Sequence, residues 1–305
     1  MNIFFQEHPQ AAADTISAAA HSAGHEGGGG GNAFAGMLEH IKDSHELEFP
    51  PFGHIPLPHF PPVEIAGVSI DLSITKHVVF LWLAALVLCV VAIAAARKNA
   101  KNRIPRGLGN LLEVFVVFIR DEIAVMNMGQ AGLRYMPYLL TTFFFILIMN
   151  VSGLVPYGST ATGNISVTGG LALVAFVMIQ GAAIRAQGLG PYLRHLTGGV
   201  HWSLWPIMIP IEILGLFTKP FALMIRLFAN MVGGHIVIIS LLGLIFIFRS
   251  YVFAPVPVLF VIGLSMLELF VAFLQAYIFT MLTALFMGLG IQAAHAGGGE
   301  HGDGH

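Results

Sequence analysis

The segment FTKPFALMIRLFANMVGGHIVIIS, residues 217–240, sets a lysine, an arginine, an asparagine and a histidine in a largely apolar run. A charged side chain near the centre of a bilayer costs at least about 2.5 kcal/mol, so Arg226 requires a functional explanation. A second apolar run, LELFVAFLQAYIFTMLT, carries Glu268 and Gln275 seven residues apart and therefore nearly on one face of a helix. Glu212 lies upstream of the arginine in the first run. These residue types suit proton transfer. A carboxyl and an imidazole can exchange a proton, while a guanidinium keeps its charge at any working pH and relays none.

Taken at 100° per residue, Glu212, Lys219, Asn230 and Gly233 fall within about 40° of Arg226. Gly215, Ala222 and Ala229 lie about 20° to 60° away on one side. The result is one polar stripe edged by small residues. Small residues alone are explained by close helix packing; the arginine is not. A charge on a smooth face implies a partner surface of opposite charge that passes close by. His235 points to the opposite side of the helix. A lone histidine there is ordinarily a packing residue, but Glu268 changes that reading. Residues at equal depth in a helical hairpin have a constant sum of residue numbers, and the pairs His235 with Glu268 and Arg226 with Gln275 share a turn centre near residue 251. An acid level with a base inside lipid reads as a proton relay.

The elements that must position these groups follow from composition. Of 305 residues, 56% are apolar and only 10% charged, with a mean hydropathy of +0.80. A soluble domain carries about 25% charged residues. The chain is therefore an integral membrane protein. Its net charge of −2 says little about partners, and its one cysteine, Cys89, excludes disulfide scaffolds and multi-thiolate metal sites.

Residues 1–76 are glycine-rich, then proline-rich, and are expected to be an exposed tail with one short helix near Ala33 to Leu47. No positive n-region precedes an apolar h-region, so no signal peptide is expected. The histidines gathered in this tail and in HAGGGEHGDGH at the other end are read as solvated, not as metal ligands. Residues 78–96 form a 19-residue uncharged span, followed by RKNAKNRIPR with five cations. The positive-inside rule places that loop in the cytoplasm and the N-terminal tail outside. Residues 108–127 carry Glu113, Arg120, Asp121 and Glu122 and fit a helix lying at the interface. Spans are expected at 136–155 and 165–184. Two further segments, 205–248 and 255–291, would be about 66 Å and 55 Å long as helices, against a hydrocarbon core of about 30 Å. Each is expected to be one steeply tilted pass, because Thr218-Lys219-Pro220 is too short to return the chain through lipid. They form a hairpin turning outside at RSYVFAP, with the C-terminus cytoplasmic. The fold class is thus all-α: about three ordinary spans, an interfacial amphipathic helix and a C-terminal hairpin of two long, near-horizontal helices. Three regions are expected: the tail (1–76), a transmembrane proton-channel region (77–291) and a C-terminal tail (292–305).

The stretch KPFALMIRLFANMVGGHI resembles the arginine motif of subunit a of the rotary F-type ATP synthases, and LELFVAFLQAYIFTMLT resembles its C-terminal helix. The likeness continues through PIEILG and NVSGLVPY, covering residues 77 to 291. It implies a stator subunit with two offset proton half-channels, coupling proton flow to ATP synthesis or hydrolysis. Arg226 matches the arginine that faces the proton-carrying carboxylate of a rotating c-ring. Asn230 and Gln275 match its polar neighbours, and Glu212 the acidic group toward the cytoplasmic half-channel. His235 and Glu268 stand where some bacterial members carry Glu and His in the reverse order. The resemblance further implies peripheral-stalk b subunits, the c-ring and other synthase subunits as partners, with a bacterial plasma (inner) membrane location. It implies no catalytic residue, cofactor, metal or nucleic acid for this chain, which has no phosphate-cradling P-loop. Two other readings stay open at this stage. A secondary transporter would show two similar halves, and none is visible. A purely structural membrane protein would not need five polar groups at matched depth.

Overall fold

The computed structural model describes residues 46–49, 53–56, 63–65, 68–70, 75–101, 107–154, 161–196, 205–248 and 255–298. Two antiparallel hairpins precede the first span. β1 (Glu46–Phe49) pairs with β2 (Gly53–Pro56), Leu47 opposite Ile55, and β3 (Val63–Ile65) pairs with β4 (Val68–Ile70), Val63 opposite Ile70. The sequence reading expected no strands here. The alternation Val-Glu-Ile and Val-Ser-Ile around Ala66 and Gly67 supplies β-formers separated by a turn-compatible pair. Most of the short helix expected near Ala33 to Leu47 lies outside the described residues; Glu46 and Leu47 belong to β1.

The rest is helical. α1 spans Lys76–Lys101, and its uncharged stretch ends where Arg97 and Lys98 begin. α2 (Leu108–Phe118) continues as a π-helical stretch, Ile119–Val125, then a single α turn, Met126–Met128, and a 3-10 turn, Gly129–Arg134. Gly129, at φ 59°, adopts a backbone open to glycine and breaks the helix there. Glu113, Arg120, Asp121 and Glu122 are all exposed, and Arg120 Nε donates to Asp121 Oδ1 at 2.7 Å. The opposite face buries Ile119, Ile123 and Ala124, the one-sided pattern of an amphipathic helix.

α3 (Met136–Gly153) has a proline in its first turn, where no helical donor is lost. α4 (Ile165–Gln187) opens on Asn164, whose side chain accepts from the Ser166 N–H at 2.8 Å. It closes at Gly188, with φ 81°, which turns the chain into the short α5 (Leu189–Leu196). α6 (Trp205–Phe248) and α7 (Pro255–Gly298) are each one helix of 44 residues. α6 runs unbroken through Pro210 and Pro220, so neither proline starts a second pass. α7 continues past Ile291, where the sequence suggested a tail, because Gln-Ala-Ala-His-Ala favours further helix.

Five helical stretches are long and apolar enough to cross a membrane: Lys76–Lys98, Gly109–Gly153, Ile165–Gln187, Trp205–Ile245 and Pro255–Gln292. The all-α membrane architecture read from composition and hydropathy is what the chain builds. At about 66 Å, a 44-residue helix keeps its apolar length inside a slab of about 30 Å only by tilting steeply.

α7 is the hub, packing against α3, α4 and α6, while α4 also packs along α6 and α1 along α3. The rings of Phe115, Phe143 and Phe273 join α2, α3 and α7 at centroid separations of 5.8 Å. The backbone of Gly288 lies against the Asn127 carbonyl, and a Cβ on Gly290 would meet the Ala183 Cβ at 2.7 Å. Close approach at these two points holds the C-terminal part of α7 to the α turn Met126–Met128 and to α4. Gln187 adds a hydrogen bond, its Nε2 donating to the Gly290 carbonyl at 2.7 Å.

Candidate functional site

α6 packs along α7 in a seam, and Leu223, Leu227 and Met231 of α6 and Ala272, Ala276 and Phe279 of α7 are all nearly or fully buried. The polar groups flank this seam. His235 Nδ1 stands 3.1 Å from Glu268 Oε1, with the carboxylate buried and the imidazole half-buried. Gly234 makes room for the carboxylate, since a Cβ there would lie 2.7 Å from Oε1. About two turns along, Asn230 Nδ2 donates to Gln275 Oε1 at 2.8 Å.

The seam therefore carries two polar pairs in series. Glu268 Oε2 and Gln275 Nε2 are buried and have no hydrogen-bond partner among the described residues. A buried polar atom left unsatisfied costs about 1–3 kcal/mol, which marks both as places where water can join. Gln275, which the hairpin count places level with Arg226, bonds to Asn230, one turn further along α6. The reason is the phase of α6: Arg226 projects from the open face, and Asn230 lies at the edge where that face meets α7.

Arg226 is exposed and makes no hydrogen bond or ion pair among the described residues. Gly215, Ala222, Ala229 and Gly233 are exposed around it, so the small-residue stripe inferred from helical phase is an open surface. Beside it lies a cavity of about 460 Å³ bounded by Gly215, Lys219, Ala222, Arg226, Leu282 and Phe286. The Lys219 ammonium is 4.9 Å from the centre of the Phe286 ring, a cation–π contact that occupies this second charge. Glu212 is half-buried, three to four turns before Arg226 on α6. The acid–base pair and Glu212 thus lie on opposite sides of the arginine along one helix.

Sequence reasoning did not single out three features. Gly234 was hidden in an ordinary-looking Gly-Gly pair. Asn150 is fully buried, its amide donating to the Ala272 carbonyl at 3.4 Å and accepting from Thr162 Oγ1 at 2.9 Å; its signal is an asparagine within an apolar span. Tyr192 and Gln180, joined at 2.7 Å, lie far apart in sequence from the arginine motif. Among the described residues no group of three or more His, Cys, Asp or Glu could hold a metal ion.

Residues 78–288 match the model of the family described as ATP synthase A chain. This chain belongs to that family. Curated relatives named ATP synthase subunit a extend the match. That of Chloroherpeton thalassium is 52% identical over 271 residues, covering 88% of this chain and 79% of its own length. That of Myxococcus xanthus is 56% identical over 237 residues, covering 76% and 78%. That of Anaeromyxobacter dehalogenans is 50% identical over 314 residues, covering 97% and 80%. The family match takes in all six polar residues above, from Glu212 to Gln275.

Proposed function

We propose that the chain is the stator subunit a of a proton-translocating rotary ATP synthase in a bacterial energy-coupling membrane. It performs no ATP chemistry itself; it conducts protons to and from a rotating ring. The observation that carries this reading is Arg226, an unpaired guanidinium on an open face of small residues.

Such a face admits a passing helix at short range, and the guanidinium attracts that helix's carboxylate in its ionised form, which makes the carboxylate release its proton. Arginine cannot itself hand a proton on, so it separates two half-channels. Protons enter from the outer side past His235, Glu268, Asn230 and Gln275. They ride the ring almost a full turn and leave on the inner side past Glu212. The membrane field supplies about 2.3 kcal/mol per charge per 100 mV. The partners of this reading are the c-ring opposite Arg226, the peripheral-stalk b subunits and the other synthase subunits. The N-terminal region, 1–76, is outside, the channel region is 77–291, and the C-terminal residues are cytoplasmic, on the cation count of the loops.

The test is ATP-driven acidification of inverted membrane vesicles carrying the assembled synthase. Arg226→Ala is expected to abolish pumping while ATP hydrolysis sites remain present. Pumping at the normal rate would overturn the assignment.

A further inference from the structure

Lys219 is the charge that the reading above leaves unused. Glu212, Lys219 and Arg226 recur every seventh residue on α6, so they drift only about 20° per step and lie along one side of the helix, each about 10 Å from the next. Lys219 is half-buried in a span, where an ionisable side chain is costly and by default functional. It shares with Arg226 the wall of the 460 Å³ cavity between α6 and α7, which is otherwise mostly apolar. Its Nζ stands 4.9 Å from the centre of the Phe286 ring on α7. That contact keeps the ammonium beside the cavity, where a free lysine would extend toward a headgroup. Among the described residues the cavity wall carries two cations and no acid. α6 has Glu212 and His235 elsewhere; of the elements packed on it, α7 brings Tyr277 between Glu268 and His295, α4 brings Arg185, and α5 brings Tyr192, Arg194 and His195. None of these lines the cavity. Two positive charges against one largely apolar space are costly unless an anion enters it.

We propose that Lys219 is a second functional cation of the stator: in this cavity, on the Glu212 side of Arg226, it favours the ionised form of the ring carboxyl, so that the proton departs toward Glu212 before the carboxyl reaches the arginine. This rests on the reading that Arg226 faces the ring and Glu212 the inner half-channel. The O–H bond of the ring carboxyl breaks, the proton passes through water to the Glu212 carboxylate, and Lys219 acts by charge alone. The carboxylate then moves from one cation to the next over about 10 Å and is never far from a positive charge. Release two turns before Arg226 also keeps the departing proton away from His235 and Glu268, beyond the arginine. In the pumping direction the same charge sets how high the inner proton concentration must be to reload the carboxylate.

The experiment follows ATP-driven pumping by inverted vesicles with assembled synthase over a series of medium pH values. Inversion turns the inner face to the medium, so medium pH is the pH from which the ring is reloaded. The ATP sites are the same in every variant, and a difference between profiles therefore arises in the membrane sector. Pumping fails on the alkaline side once the ring carboxylate no longer takes a proton from the medium. Lys219→Met removes a charge that favours the ionised form, so protonation persists to higher pH, and the alkaline limb is expected to move upward by about one pH unit, the scale of one nearby opposite charge. Lys219→Arg keeps the charge and is expected to hold the limb at its original position, whatever its absolute rate. Phe286→Leu releases the ammonium from its ring and is expected to move the limb the same way by a smaller amount; it decides the matter where Lys219→Met assembles poorly. A limb that stays in place in Lys219→Met, or in Phe286→Leu where that variant stands in for it, overturns the proposal. Equal displacement in Lys219→Met and Lys219→Arg overturns it too, since shape and not charge would then be at work. Arg226→Ala, run alongside, separates the two levels: if it abolishes pumping, an unmoved limb removes the role of Lys219 alone, and if it pumps normally, the stator reading falls and the proposal with it.

Discussion

The backbone of Gly234 lies so close to the carboxylate of Glu268 that a Cβ built on it would stand 2.7 Å from Oε1 and 3.0 Å from the carboxyl carbon. The neighbouring residue, His235, holds the same Oε1 at 3.1 Å. One residue supplies the space and the next supplies the partner. Gly234→Ala must push the carboxylate away from the imidazole or separate α6 from α7. Either displacement lengthens the proton-transfer distance, and misplacement on the scale of 1 Å can cost about a hundredfold. The expected result is ATP-driven pumping reduced at least about tenfold with the subunit still assembled. Gly170→Ala, on α4 with nothing within 4 Å of its would-be Cβ, is the matched control and should pump normally.

The contact between His235 and Glu268 yields a second expectation. The double exchange His235→Glu with Glu268→His restores an acid and a base across the same seam, whereas each single change leaves two acids or two bases facing each other. The double variant should retain more pumping than either single variant, with a coupling of about 1 kcal/mol or more in a double-mutant cycle. A double variant no better than the worse single would show that the two side chains do not act as a unit.

The sequence made some of this arrangement legible and hid the rest, for physical reasons. Arg226 stood out because charge is costly in lipid, and its open face followed from helical phase alone, since every small residue assigned to that stripe is exposed. The partnership of His235 with Glu268 followed from equal depth in a hairpin. Depth counting has a tolerance of about one turn, and within it Gln275 meets Asn230. Phase along α6, not depth, decides which neighbour reaches α7. Gly234 was not legible because its role depends on where a side chain from another helix falls. Tyr192 and Gln180 were missed for a similar reason: only the reversal at Gly188 brings them together.

Charge type offers a third expectation. Lysine at position 226 would keep the positive charge, but it can lose its proton when desolvated and lacks the planar fork that meets a carboxylate with two hydrogen bonds. Arg226→Lys is expected to pump almost as poorly as Arg226→Ala, measured in the same vesicles. Near-normal pumping would mean that a point charge suffices.

The buried asparagine on α3 is expected to matter for stability more than for conduction. Asn150 is fully buried, and Asn150→Leu removes the bond to the Ala272 carbonyl and strips the Thr162 hydroxyl of its acceptor. An orphaned buried hydroxyl costs about 1–3 kcal/mol. The double change Asn150→Leu with Thr162→Val removes both polar groups and should recover part of the loss. The measurement is the thermal midpoint of the detergent-solubilised complex. Equal midpoints for the single and double variants would show that the Thr162 hydroxyl does not depend on Asn150.

The last expectation concerns the direction of access and uses the single native cysteine. Glu212 and His235 lie on opposite sides of Arg226 along α6, and the topology proposed above from the cation count of the loops has that helix start on the inner side. Water should reach the two positions from opposite faces and stop at the arginine. Cys89 is exposed, so a Cys89→Ser background removes the only other thiol. In that background Glu212→Cys and His235→Cys are made separately, and silver ions, which follow aqueous paths to a thiolate, are added to one face of sealed vesicles at a time. Silver on the inner face should inhibit Glu212→Cys and leave His235→Cys active, and silver on the outer face should do the reverse. Residual proton flux in each variant before silver sets the scale against which inhibition is read. Equal inhibition of both variants from a single face would indicate a continuous aqueous pore, in which an arginine midway along α6 could not act as the barrier between two half-channels.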